Sequence, residues 1–173
     1  LIYAEETPIA RTYFAALAER VVNGRILAGF PPCTGGYLAT KWRHPLTEWE
    51  QFFRGWINTP EAQAVLEAAI FFDFRPIYGQ LSLEPLEQLL QEAGRQRIFL
   101  SHMARTALNF PPPLGLFGRI RAEDGQIDLK KAGISPIVTL ARLYALEVGV
   151  TARPTLARLE AALQGQEWLV GGR

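Results

Sequence analysis

The stretch from Ile134 to Leu146 is almost wholly apolar, with Ile137, Val138, Leu140, Ala141, Leu143, Tyr144 and Leu146 around a single charge, Arg142. A helix that is apolar over most of its circumference has to be buried on most sides. That requirement calls for neighbouring helices and points to a bundle-like, mainly α arrangement for this part of the chain. Arg142 would lie inside the packing, where a guanidinium needs a carboxylate, backbone carbonyls or a bound anion.

A second apolar run carries the complementary problem. Ile70 to Tyr78 reads Ile-Phe-Phe-Asp-Phe-Arg-Pro-Ile-Tyr, with Asp73 and Arg75 two positions apart. If the run is extended, Phe71, Asp73 and Arg75 share one face and Phe72 and Phe74 the other. Its alternation favours a strand, while continuity with the alanines before it favours a helix. Charged groups on a buried element are costly to desolvate, so they need partners or a ligand. Two readings are open: a structural ion pair at the end of the element, or a pair facing a site.

Elsewhere the pattern is helical. Thr7-Pro8 is a capping hydroxyl followed by proline at the first helical position. Ala10, Phe14, Leu17 and Val21 then recur at helical spacing up to Asn23-Gly24. Residues 26–36 hold prolines and glycines around Cys33 and read as a loop. Gly35-Gly36 could admit a phosphate against the backbone or could simply form a turn. Pro45 to Ile57 carries an aromatic stripe of Trp49, Phe52, Phe53 and Trp56 that reads as core. Thr59-Pro60-Glu61 opens a helix to about Ala69, and Ser82 caps another through Gln91. Arg97 to Asn109 forms a further helix with Ile98, Met103 and Ala107 inward and His102 as a hydrogen-bonded structural histidine. Arg119 to Lys130 reads as a short β-hairpin around Asp124-Gly125. Thr155, Leu156, Leu159 and Leu163 mark a last amphipathic helix.

Composition narrows the function classes. A net charge of +1 gives no bulk electrostatic footprint for nucleic acid or an acidic membrane. One cysteine, Cys33, excludes an internal disulfide, and two histidines argue against a zinc cluster. No uninterrupted apolar run reaches membrane-spanning length, and Glu5-Glu6 interrupts any signal-like start, so the expected compartment is the cytoplasm. Leu1-Ile2-Tyr3-Ala4 reads as the end of a strand. Because the chain opens with leucine, it is expected to be part of something longer.

Several stretches, taken in order, resemble one bacterial family. They are Leu1-Ile2-Tyr3, Pro32-Cys33-Thr34-Gly35-Gly36, Trp42 with Trp49, and Phe71-Phe72-Asp73-Phe74-Arg75 through Gly79. They continue with Gly115-Leu116-Phe117, Ile127-Asp128-Leu129-Lys130 and the run from Pro136 to Leu146. The chain is similar to the signal-transduction nucleotidyltransferases that carry a nucleotidyltransferase substrate-binding domain. These are relatives of the protein-PII uridylyltransferases and, more distantly, of the polymerase-β superfamily.

The resemblance implies that residues 1–79 are the C-terminal, α/β part of a nucleotidyltransferase domain and residues 80–173 a helical substrate-binding domain. In that family a Gly-Ser turn and an Asp-x-Asp pair precede the strand ending in Leu-Ile-Tyr and hold the Mg²⁺ that bridges nucleotide phosphates. Those motifs do not occur in this sequence, so the fragment alone is expected to be inactive and not to hold Mg²⁺. The resemblance makes Asp73 a candidate third metal-binding, catalytic carboxylate and Arg75 its support or a phosphate contact. Lys130, Arg142, Gly35 and Gly36 become candidate substrate contacts, with a surface lysine and a structural arginine as the plain alternatives. Thr139 stands where many relatives have an acid, which leaves the partner of Arg142 open. The implied partners are a nucleoside triphosphate, an acceptor that could be a protein, and upstream CBS or cyclic-nucleotide-binding modules. The competing expectation is a non-catalytic helical regulatory or protein-interaction domain.

Overall fold

The helix predicted from Thr7-Pro8 forms as α1, Pro8–Leu27, with the Thr7 hydroxyl accepting the Ala10 N–H at 3.0 Å. Helix α1 does not stop at Asn23-Gly24. It runs on to Leu27, because the left-handed position that ends it falls at Gly29, where φ is +89°. The buried residue of α1 is Ala18, outside the expected stripe, of which Ala10, Phe14 and Leu17 are half-buried and Val21 is exposed. Replacing Thr7 by alanine orphans one helix-terminal N–H and should cost about 1 kcal/mol in urea unfolding; an unchanged midpoint would mean that water satisfies that donor equally well.

The computed structural model describes residues 1–109, 126 and 128–170. The chain is mainly helical with one short two-stranded parallel sheet. It divides into two compact units, Leu1–Phe53 with Ile77–Leu86 and Arg54–Pro76 with Glu87–Arg173.

In the first unit, β1 (Ile2–Tyr3) pairs in parallel with β2 (His44–Pro45), Ile2 opposite His44 and Tyr3 opposite Pro45. A parallel pair needs a crossover, and α1 with the loop after it supplies one. Tyr3 is buried and stacks on Phe14 at 4.5 Å between ring centroids. The aromatic stripe forms on α2, Leu46–Asn58, one residue from its predicted start. Trp49 and Phe53 are core residues of this unit, and the Trp49 indole donates to the Leu1 carbonyl at 3.1 Å.

In the second unit, Trp56 and Ile57 of α2 are buried with residues of α3, Ala62–Phe71. Here the strand reading of residues 70–75 fails. Helix α3 continues through Phe71, Phe72 donates its N–H back to Ala68, and the chain turns at Asp73. The helical register gives the successive rings different neighbours. Phe71 stacks on Trp56 at 5.6 Å, while Phe72, almost fully buried, lies 5.8 Å from Phe99. Two large side chains gain packing in this way, which outweighs the weak β preference of phenylalanine.

Helices α4, Glu84–Ala93, and α5, Arg97–Leu108, follow. Helix α5 buries Met103 and Ala107 as expected, but Phe99 takes the inward position expected of Ile98, which is exposed. His102 is exposed rather than structural. Most of the expected hairpin lies outside the described residues; at its end Leu129 and Lys130 are helical. A π-helical turn, Lys130–Ile134, leads into α6, Ser135–Glu147. Helix α6 packs against α5 and against α7, Thr155–Val170. It buries Ala141, Arg142, Leu143, Ala145 and Leu146 but leaves Ile137, Leu140 and Tyr144 exposed, a narrower buried arc than its composition suggests. Two described neighbours cover two sides of a helix, not its whole circumference. Among the described side chains of α7, Arg158 and Ala162 are buried, while Leu156 and Leu163 face outward.

Candidate functional site

One charge from each of the two apolar runs meets the other. Arg142, projecting from α6, donates Nη2 to Oδ2 of Asp73 at 2.6 Å and Nε to Oδ1 at 3.3 Å. Of the partners left open for Arg142, the structure supplies a carboxylate. Thr139 is not involved; its hydroxyl donates to the Ser135 carbonyl one turn back at 2.8 Å.

A second arginine converges on the same acid. Arg158 of α7 donates Nη2 to Asp73 Oδ1 at 2.5 Å and Nε to the Ala152 carbonyl at 2.8 Å. Both guanidinium side chains are buried, at 8% and 5% exposure, whereas Asp73 keeps 35%. The acid is therefore the solvent-side member of the triad. Beside it, Arg153 donates Nε to the Phe74 carbonyl at 3.1 Å and Nη2 to Glu87 Oε1 at 2.6 Å. Its guanidinium carbon lies 4.7 Å from the centroid of the Phe74 ring, a cation–π arrangement. Three arginines thus fasten the turn that ends α3. Glu87 Oε2 is buried and finds no hydrogen-bond partner among the described residues.

Burial pushes the Asp73 carboxyl up, but hydrogen bonds from Arg142 and Arg158 and the charges of both outweigh it and hold the group below its ordinary value. Arg158 is drawn down, chiefly by burial, with the neighbouring Arg142 and Arg153 charges adding to the effect and Asp73 opposing it. A guanidinium starts so high that it stays charged. Asp73 therefore contributes stability that is complete above the ordinary carboxylate value near 3.9 and lost as pH falls through its depressed folded value. Urea midpoints measured from pH 7 down to pH 3 should fall more steeply below about pH 4 for the native chain than for an Asp73→Asn variant. Parallel profiles would remove Asp73 from the acid response.

The triad does not suit Mg²⁺. Both Asp73 oxygens are engaged by guanidiniums, and a divalent cation there would face two buried positive charges. Among the described residues no cluster of three or more His, Cys, Asp or Glu could hold a metal ion. Asp73 is thus geometrically a partner for arginines, and the catalytic and metal-binding roles implied for it find no support in its surroundings.

None of the other candidates is a member of the triad. Arg75 is exposed and makes no ion pair with a described residue. Lys130 is also exposed; its backbone carbonyl accepts the Ser135 hydroxyl at 2.8 Å. Gly35 and Gly36 belong to the first unit, where Gly36 (φ +77°) donates its N–H to the Cys33 carbonyl at 3.1 Å in a turn. Sequence reasoning missed Arg153, Arg158 and Glu87. The one available signal for Arg158 is Ala162 at i+4, a small residue on the same helical stripe.

Two family models match the chain. Residues 1–63 match one described as "Putative nucleotidyltransferase DUF294", and residues 97–168 match one described as "Putative nucleotidyltransferase substrate binding domain". No curated protein and no solved structure matches. The two regions stand in the order that the resemblance implied and together cover most of the chain. Together the two matches indicate a family described as putative nucleotidyltransferases with a substrate-binding domain.

Proposed function

We propose that this chain serves nucleotidyl transfer as the substrate-binding part of a larger protein. In that reaction an acceptor hydroxyl forms a bond to the α-phosphorus of a nucleoside triphosphate, its proton is lost, and pyrophosphate leaves. The observation that carries the reading is the order of the two family regions along one chain. Kinship with protein-PII uridylyltransferases makes a protein hydroxyl the preferred acceptor and uridylyl the preferred group, in a bacterial, cytoplasmic signalling protein with upstream CBS or cyclic-nucleotide-binding modules. Mg²⁺ belongs to this reading through kinship alone, because the described residues do not offer it a site. Among the described residues no helix is long and apolar enough to cross a membrane.

A second reading draws on the triad itself. Asp73 is satisfied by protein donors, which favours a helical module that binds a protein partner without taking part in chemistry. One experiment separates the two. The full-length protein is incubated with each labelled nucleoside triphosphate, Mg²⁺ and cell extract, beside an Asp73→Asn variant of confirmed fold. Label transferred from one nucleotide supports the first reading. No transfer from any of the four removes it, and transfer unchanged in the variant leaves Asp73 with a structural role.

A further inference from the structure

Arg142 and Arg158 present two buried guanidiniums to one carboxylate, so the triad carries an excess positive charge. No described residue accepts a hydrogen bond from Nη1 of either arginine. The carboxylate that fills the space between them is the most exposed of the three groups. It can also leave without unfolding the turn. Phe74, the next residue, is held independently by Arg153 through its carbonyl and its ring, so rotation about the Asp73 side-chain bonds suffices to carry the carboxylate into solvent.

We propose that Arg142 and Arg158 form a binding site for a phosphate group, and that Asp73 occupies this site when no phosphate is bound. A phosphate dianion matches the pair better than one carboxylate does. It brings two negative charges to two guanidiniums and has enough acceptor oxygens for the Nη1 donors as well as those now used by Asp73. Asp73 then acts as a built-in competitor that keeps affinity for free phosphate low and is released when a phosphate-bearing ligand arrives. The place of this site in a nucleotide-handling protein rests on the preceding reading, but its affinity for phosphate does not.

The test compares thermal unfolding of the native chain with Asp73→Ala and Asp73→Asn variants, in sodium phosphate and in sodium chloride of equal ionic strength. Phosphate stabilises proteins generally by exclusion from their surfaces, so the readout is the difference between variant and native chain. With the competitor removed, phosphate at ten times its dissociation constant should raise the variants' midpoint by about 3–5 °C more than that of the native chain. The extra rise should saturate with concentration and vanish in an Asp73→Asn/Arg158→Gln double variant. Equal shifts in variant and native chains overturn the proposal, as does an extra shift that survives loss of Arg158. If both single variants are unfolded in chloride, recovery of helical circular dichroism in phosphate replaces the shift, and no recovery overturns the proposal. Metal-free nucleoside triphosphates form the second arm. Stabilisation at lower concentration than phosphate identifies a nucleotide as the source of the group, and equal stabilisation identifies phosphate alone; either ranking supports the site. A chain that binds phosphate but transfers no nucleotide keeps this inference and loses the functional reading. A chain that transfers nucleotide without the variant-specific shift does the reverse.

Discussion

Replacing Asp73 by alanine in chloride buffer is expected to destabilise the chain by about 3 kcal/mol, at the low end of the 3–5 kcal/mol typical of a buried ion pair stripped of one member. The cost comes from what remains, because Arg142 and Arg158 stay buried with their charges adjacent and no counter-ion between them. Partial exposure of Asp73 tempers the loss by letting water reach the vacated space. Removing all three charges should cost far less. An Asp73→Leu/Arg142→Met/Arg158→Leu triple variant replaces desolvated ions with apolar volume, and such exchanges are often neutral or stabilising. Urea unfolding of both variants checks the pair of expectations. A triple variant no more stable than Asp73→Ala would show that charge repulsion is not the source of the cost.

That triad also marks what could be read from the sequence. Asp73 and Arg142 stood out because each is a charge in an apolar run, Arg142 alone and Asp73 beside Arg75, and a charge drawn inside must find a partner. Their pairing joins residues 69 positions apart, which no local periodicity encodes. Arg153 and Arg158 gave no comparable signal, since Arg153 precedes a proline between two helices and Arg158 lies on an amphipathic helix, both places where an arginine normally faces water. Their burial follows from how closely α6 and α7 pack, which depends on small residues such as Ala141, Ala145 and Ala162. Aromatic spacing fixed α2 almost to the residue, because four rings at helical intervals fit no other period. The same reasoning failed at Phe71 to Phe74, where a short run of rings satisfies a helix end as well as a strand and tertiary packing decides. Loops carry the least local information. Gly35-Gly36 announced a turn, and a turn it is, without saying what the loop is for.

Gly94 is the position where a single methyl group should do the most damage. It follows α4 and donates its N–H to the Leu90 carbonyl at 3.2 Å. Its φ is not in the left-handed region, so alanine is acceptable to the local backbone and the conflict is wholly steric. A Cβ built there would lie 2.0 Å from the Leu146 carbonyl oxygen and 2.9 Å from its carbon. Backbone cannot rotate away as a side-chain tip can. The Leu146 carbonyl also accepts the Gly149 N–H at 3.0 Å, and Gly149, at φ +73°, ends α6. Relieving the clash therefore means prising α4 from α6 or undoing that helix end. Gly94→Ala is expected to cost about 3 kcal/mol or more, at the upper end for overpacked sites. Gly55→Ala is the control: inside α2, with nothing within 4 Å of the added carbon, it should stabilise by up to about 1 kcal/mol. Equal and small effects at the two glycines would mean that α4 and α6 do not approach through Gly94. The consequence reaches the candidate site, because Leu146 lies one turn beyond Arg142 on the same stripe of α6. A displacement of α6 that accommodates the methyl group moves Arg142 away from Asp73. Gly94→Ala should therefore also reduce the acid sensitivity assigned to Asp73, although residue 94 touches neither charge.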